Sequence, residues 1–253
     1  MKYFLTLLFF IHTSANAFTL IQINSPKFPV SNVNVEFSAD SCANTGTSIQ
    51  EWRDIVEESI DNYWNTVASS SLRLKISGFS TATIATDDYV TSIGKASTNS
   101  ILIGCSTSTT IFPITTNVAS GRLNWNDPKQ AVVLINNTPG TAVALMSRES
   151  KIIVLAHEIG HTLGLGHSSY PDALMYYNST YQTLKTLHKD DIDGITYLYP
   201  NHSPVSCGTV MDIKNDTPLM NNFIISLLFG LFLLALPKKI AKSLRKKQGA
   251  VFS

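Results

Sequence analysis

The chain has 253 residues, 44% of them hydrophobic, with 19 cationic and 18 acidic side chains and a formal charge of +1. Seven of the cations, Lys2 and the six from Lys238 to Lys247, lie at the two ends, so residues 3–237 hold 12 cations against 18 acidic groups and are net acidic by 6. That balance removes the electrostatic case for nucleic acid as a partner, and three cysteines are too few for a disulfide scaffold.

In chain order, Lys2, an apolar run over 3–11 and Ala15-Asn16-Ala17 have the three-part build of a cleavable signal peptide over 1–17. The run is too short to cross a hydrocarbon core of about 30 Å, and the mature chain is expected to begin at Phe18. Residues 18–201 then suffice for one domain with its own core. Val33, Val35 and Phe37 alternate with polar residues, which predicts a half-buried strand over 31–37. Ile49, Trp52, Ile55, Val56, Ile60, Tyr63, Trp64 and Val67 recur at spacings of three and four and predict an amphipathic helix through Val67, with Ser48 and Glu51 placed for a capping box. Strand-like runs follow at 72–76, 101–105 and 131–135, the last closed by the turn signal Asn137-Thr138-Pro139-Gly140. A second helix is predicted over 147–163 with Gly164 as its stop, and a third over 189–199 ending at Pro200.

Residues 202–218 are polar and pattern-free, as a linker would be, and 219–237 form an apolar segment followed by a basic tail over 238–253. Fourteen apolar residues rise only about 21 Å, so a membrane span must recruit Leu219 and Met220 and let the lysines snorkel. The segment is read as a membrane anchor or sorting signal, the tail as cytoplasmic and the domain as exported to an extracellular or periplasmic space. Export permits a disulfide; Cys42 with Cys105 is the expected pair, leaving Cys207 odd.

Residues 157–167 read HEIGHTLGLGH. His157 and His161 are one helical turn apart on one face, so both imidazoles can reach one ion. Gly164 lets the chain leave the helix sharply, and His167 can return as a third ligand. Three neutral nitrogens with a fourth position open are the arrangement expected of one catalytic zinc ion rather than a closed structural one. Glu158, next to the first ligand, is the candidate general base for water at that position. His188 and His202 have no partners at ligand spacing.

The stretch HEIGHTLGLGHSSYPDALMYY, residues 157–177, resembles the metzincin zinc peptidases and, among them, the matrixins: it has the zinc motif, Ser168 after the third ligand, and Met175 eight residues beyond His167. LHKDDIDGITYLY, residues 187–199, is similar to the matrixin C-terminal helix, and NYWNTVASSSLRLK, residues 62–75, weakly to its first helix and next strand. The resemblance implies an α+β metzincin catalytic domain, with a twisted mixed sheet, an active-site helix and a small C-terminal subdomain holding the Met-turn. It further implies Met175 as a support beneath the metal and a peptide or protein substrate cut by an endopeptidase. A different class of function, a surface adhesion protein that keeps the fold without activity, is the alternative; the presence of Glu158 argues against it.

Several departures from the family pattern bear on regulation and cofactors. No Pro-Arg-Cys-Gly motif exists to cap the metal from a propeptide, and no histidine of the mature chain precedes His157 to build a second, structural zinc site. Calcium ligands cannot be carried over residue by residue. Tyr177 stands where matrixins usually have proline and where related metzincins place a tyrosine near the metal; it is read either as a transition-state hydrogen-bond donor or fifth ligand, or as a pocket wall. Finally, the segment after Phe18 resembles the matrixin N-terminus, which implies that the Phe18 ammonium pairs with Asp190 or Asp191.

Overall fold

A computed structural model describes residues 18–22, 25–178 and 186–201. The predicted strands form, each within a few residues of its expected bounds, as β1 (Asn32–Phe37), β2 (Arg73–Phe79), β3 (Ser100–Ser106) and β5 (Gln130–Asn136), with an additional β4 (Ala119–Leu123) between the last two. Their order in the sheet is β2-β1-β3-β5-β4; neighbours run parallel except β4, which is antiparallel to β5 and forms an outer edge. The sheet is mixed and the class α+β, as expected.

β3 and β5 are buried on both faces, so their side chains divide between two cores. Ile101, Ile103, Ala131 and Val133 join Trp52, Ile55, Ile153 and Ile159 in the main core, beneath the helices α1 (Ile49–Asp61) and α3 (Arg148–Thr162). The alternate residues Leu102, Val132 and Leu134 pack with Ile84, Ile93 and Phe112 under a short helix α2 (Tyr89–Gly94) on the opposite face. Neither α2 nor β4 was expected: α2 is a single capped turn and a half, begun by Asp88 accepting from Thr91 N–H at 2.7 Å, and β4 has no alternation of apolar and polar residues.

The first helix corrects one expectation. It is capped by Ser48, whose side chain accepts from Glu51 N–H, but it ends at Asp61 rather than continuing through Val67. Residues Trp64–Thr66 form a separate 3-10 turn. The break has a packing reason, because it aims the Trp64 indole N–H at the Ala156 carbonyl of α3, 2.9 Å away. Ser59 bonds the Ile152 carbonyl at 2.9 Å, and Arg148 forks onto Glu58 at 2.6 and 2.8 Å. α1 and the turn after it thus hold α3 at three heights along its length.

α3 begins after the cap Ser147, and α4 (Lys189–Leu198) starts after His188, which with Asp191 makes a capping box. Cys42 and Cys105 form a disulfide with Cα atoms 5.3 Å apart, tying the segment before α1 to the end of β3. Among the described residues no helix is long and apolar enough to cross a membrane. The predicted signal peptide, linker, apolar segment and basic tail, and Cys207, lie outside the described residues.

The bridge closes a separation of 63 residues, for which the lost chain entropy of the unfolded state corresponds to about 4 kcal/mol. Replacing Cys42 and Cys105 together by alanine is expected to lower the unfolding free energy by about 2–4 kcal/mol. A denaturant titration of both forms checks this, and coincident midpoints would contradict it.

Candidate metal centre and substrate cleft

The three histidines are assembled by the way α3 ends. Its last turn closes as a Schellman motif, with Leu165 N–H on the Gly160 carbonyl and Gly164 N–H on that of His161, both at 3.1 Å. Gly164 carries the reversal at φ +106, and a Cβ there would stand 2.7 Å from the Pro26 carbonyl oxygen. Beyond it the chain is held by residues 18–22. Leu20 bridges antiparallel to Leu165, Gly166 N–H donates to the Thr19 carbonyl at 3.0 Å, and the Thr19 hydroxyl donates to the His167 carbonyl.

The ligand atoms of His157, His161 and His167 all lie within 4.8 Å of one another. His157 Nδ1 lies 2.7 Å from the Leu174 carbonyl oxygen and His161 Nδ1 lies 2.8 Å from that of Leu165. A carbonyl can only accept, so each Nδ1 carries the proton and each Nε2 is left bare. Those two Nε2 atoms are 3.1 Å apart with no proton to share. Two facing lone pairs at that distance call for a cation, and two nitrogens bound tetrahedrally at about 2.0–2.1 Å from one zinc ion would stand about 3.3 Å apart. The donor set therefore fits zinc. Burial, with His161 and His167 close by, pushes the His157 ring down to about 3, and burial also lowers His167, so at these two positions the protonated ring is disfavoured.

Met175 is 2% exposed and packs against α3 at Gly160. A Cβ at Gly160, between the two helical histidines, would come within 2.4 Å of its sulfur and 2.8 Å of the Trp64 ring. The turn containing Met175 is fastened by Asp191, whose carboxylate accepts from the backbone N–H groups of Leu174 at 2.8 Å, Met175 at 3.0 Å and His188 at 3.1 Å. Leu174 is the residue whose carbonyl orients His157. Asp190 Oδ2 accepts from the Ser168 hydroxyl at 2.5 Å. Phe18 rests on α4, its ring centroid 5.3 Å from that of Tyr197. The sequence identified Asp190 and Asp191 only as partners for an ammonium group; the load Asp191 bears for the turn, and the capping role of His188, were missed.

Glu158 Oε2 accepts from Gly121 N–H at 2.7 Å, and burial raises its carboxyl above the usual range against the pull of His161 and of that N–H. Gly121 has to be glycine for α3 to lie this close, since a Cβ would be 2.0 Å from the Glu158 carbonyl oxygen. A cleft of about 730 Å³ lies at the site, lined by β4, by Leu20, Ile21 and Gly166, and by the three histidines and Glu158. Tyr177 lines the cleft, 66% exposed, with its ring against Tyr176. All the residues predicted for the metal and its chemistry therefore meet in one place. β4, with Gly121 and Arg122, was not foreseen, and Tyr89 from α2 also reaches the cleft.

A family model for the matrixins, peptidase family M10, matches residues 61–200, more than half of the chain. The chain belongs to the matrixin family, whose members are zinc endopeptidases. It is similar to matrix metalloproteinase-9 of Canis lupus familiaris (52% identical over 50 residues, 20% of this chain and 7% of that protein). Similar too are matrix metalloproteinase-19 of Homo sapiens (53% over 55 residues, 21% and 11%) and the interstitial collagenase of Sus scrofa (53% over 53 residues, 21% and 10%). The chain spans about a tenth of the length of these curated relatives.

Two measurements probe the centre. Asp191→Ala removes the acceptor that holds the Leu174 turn, and zinc affinity, read by competition with a chelator of known strength, is expected to fall about 10–100-fold; undiminished affinity would show that the turn holds itself. In the metal-free protein His157 titrates near 3 when folded and at its ordinary 6.5 when unfolded. The unfolded state then binds the extra proton, so this stabilisation is present above about pH 6.5 and is lost as pH falls toward 3, at about 1.4 kcal/mol per pH unit. Urea midpoints of chelated protein should drop between pH 7 and pH 5; equal midpoints would refute the buried neutral ring.

Proposed function

We propose that this chain is a zinc-dependent endopeptidase that hydrolyses peptide bonds of proteins or peptides outside the cytoplasm. The observation that carries the reading is the convergence of three imidazoles, two with bare Nε2 atoms, with a carboxylate in the lining of one cleft. His157, His161 and His167 would hold the ion. Zinc bound there supplies Lewis acidity, polarising a carbonyl oxygen and lowering the pKa of water toward 7.

The chain's own groups do the rest. Glu158, whose carboxyl burial raises above its usual range, takes a proton from the attacking water and returns it to the leaving amine. β4 has an open edge along the cleft, on which a substrate can lie extended as an added strand. Met175 supports the ligands from below as the Met-turn of a small C-terminal subdomain that includes α4. Tyr177 forms a wall of the cleft within reach of a bound substrate. Of the two aspartates, Asp190 is the partner for a freed Phe18 ammonium, because both oxygens of Asp191 are engaged by backbone N–H groups. The Cys42–Cys105 disulfide supports an oxidising, extracytoplasmic compartment.

The test is hydrolysis of a peptide library by the full chain. Cleavage is expected to stop on chelation and return with zinc, and Glu158→Ala should lower the rate by about 10²–10⁴-fold while zinc content stays at one per chain. Cleavage that persists in Glu158→Ala, or purified protein that takes up no zinc, would overturn the assignment.

A further inference from the structure

The cleft does not end at the metal site. Along β4, Gly121 and Arg122 face opposite sides of the sheet. Gly121 faces α3, where a Cβ would strike the Glu158 carbonyl. Arg122 points to the other face, and its guanidinium lies 4.1 Å from the centroid of the Tyr89 ring at the start of α2. Arg122 and Tyr89 nevertheless line the same cleft as Glu158 and the three histidines, so that cleft wraps over the open edge of the sheet.

The charge at this place is unusual for the molecule. The body of the chain is net acidic, yet among the described residues lining the cleft Glu158 is the one carboxylate and Arg122 the one lysine or arginine. Glu158 is turned to Gly121 N–H, and none of the ion pairs formed among the described residues involves Arg122. Its partner is the Tyr89 ring, over which the guanidinium carbon sits, a contact that leaves its N–H groups available to a planar anion. An extended peptide added to the open edge of β4 puts the residue opposite Arg122 on the Arg122 face, as cross-strand neighbours share a face. A carboxylate there can take the guanidinium's two parallel N–H groups.

We propose that Arg122, stacked on Tyr89, is a specificity-determining residue that selects substrates carrying Asp or Glu within about three residues of the cut bond, the reach of neighbouring strand positions at about 3.3 Å each. The proposal rests on the endopeptidase reading above. It concerns which peptides are chosen, and Arg122 takes no part in the bond-breaking step.

The experiment uses the zinc-loaded full chain and internally quenched peptides that differ only in carrying Glu, Gln or Lys at each of the three positions on either side of the bond cut. At one position Glu is expected to raise kcat/KM about five- to tenfold over Gln, with Lys below both. The advantage should shrink as salt rises from about 50 mM to about 500 mM. Arg122→Gln should level the series and Arg122→Glu should invert it to favour Lys. A Glu-to-Lys ratio that Arg122→Glu leaves unmoved overturns the proposal. The same peptides, labelled and bound to zinc-loaded Glu158→Ala and to that variant with Arg122→Glu added, separate this from the endopeptidase reading. If wild type cuts no peptide, that reading fails, and the subsite still stands if the Glu peptide binds more tightly and loses the advantage with Arg122→Glu. Equal binding of Glu and Lys peptides sinks it.

Discussion

Two backbone carbonyls decide what this site can be. By accepting from the Nδ1 atoms of His157 and His161, those of Leu174 and Leu165 force both Nε2 lone pairs to face one another at 3.1 Å. Free imidazoles would turn away or take up a proton. Here both rings are held in place by those carbonyls, and burial pushes the His157 ring down to about 3, so it does not take up a proton at neutral pH. A metal relieves the conflict, and much of the surrounding structure serves to keep the two carbonyls where they are.

Each carbonyl belongs to a segment with its own anchor. Leu174 is held through Asp191, so α4 reaches the metal site by way of one carboxylate and three N–H groups. Leu165 is held by the Schellman closure and by Leu20 beside it. Ser59 of α1 and Trp64 of the turn after it pin α3, and glycines at 121 and 160 let β4 and Met175 approach α3 to contact distance. Elements far apart in the chain therefore act on a single pair of rings.

This arrangement explains which parts could be read in advance. The i, i+4 histidines and the glycine after them declare both a helix and its end, because ligand spacing and helical period coincide. The apolar periodicity of residues 49–60 declared α1 equally well. It misled beyond Asp61, since Tyr63 and Trp64 continue the helical spacing while lying on a different turn; both are buried either way, and burial alone does not distinguish them. β4 left no trace because a strand that must admit α3 at Gly121 and expose Arg122 cannot alternate large apolar with polar residues. The orienting carbonyls are main-chain atoms and have no signature at all. Asp191 was legible as an acidic residue of the right helix, but its work for Leu174 depends on a turn that only the folded chain brings near.

The third histidine is secured differently from the first two. His167 stands outside α3 and depends on a short antiparallel partner supplied by residues 18–22, through Gly166, the Thr19 hydroxyl and Leu20. Metal grip thereby rests in part on a contact between residues 148 apart in the chain, so the third ligand is positioned independently of the two that α3 carries.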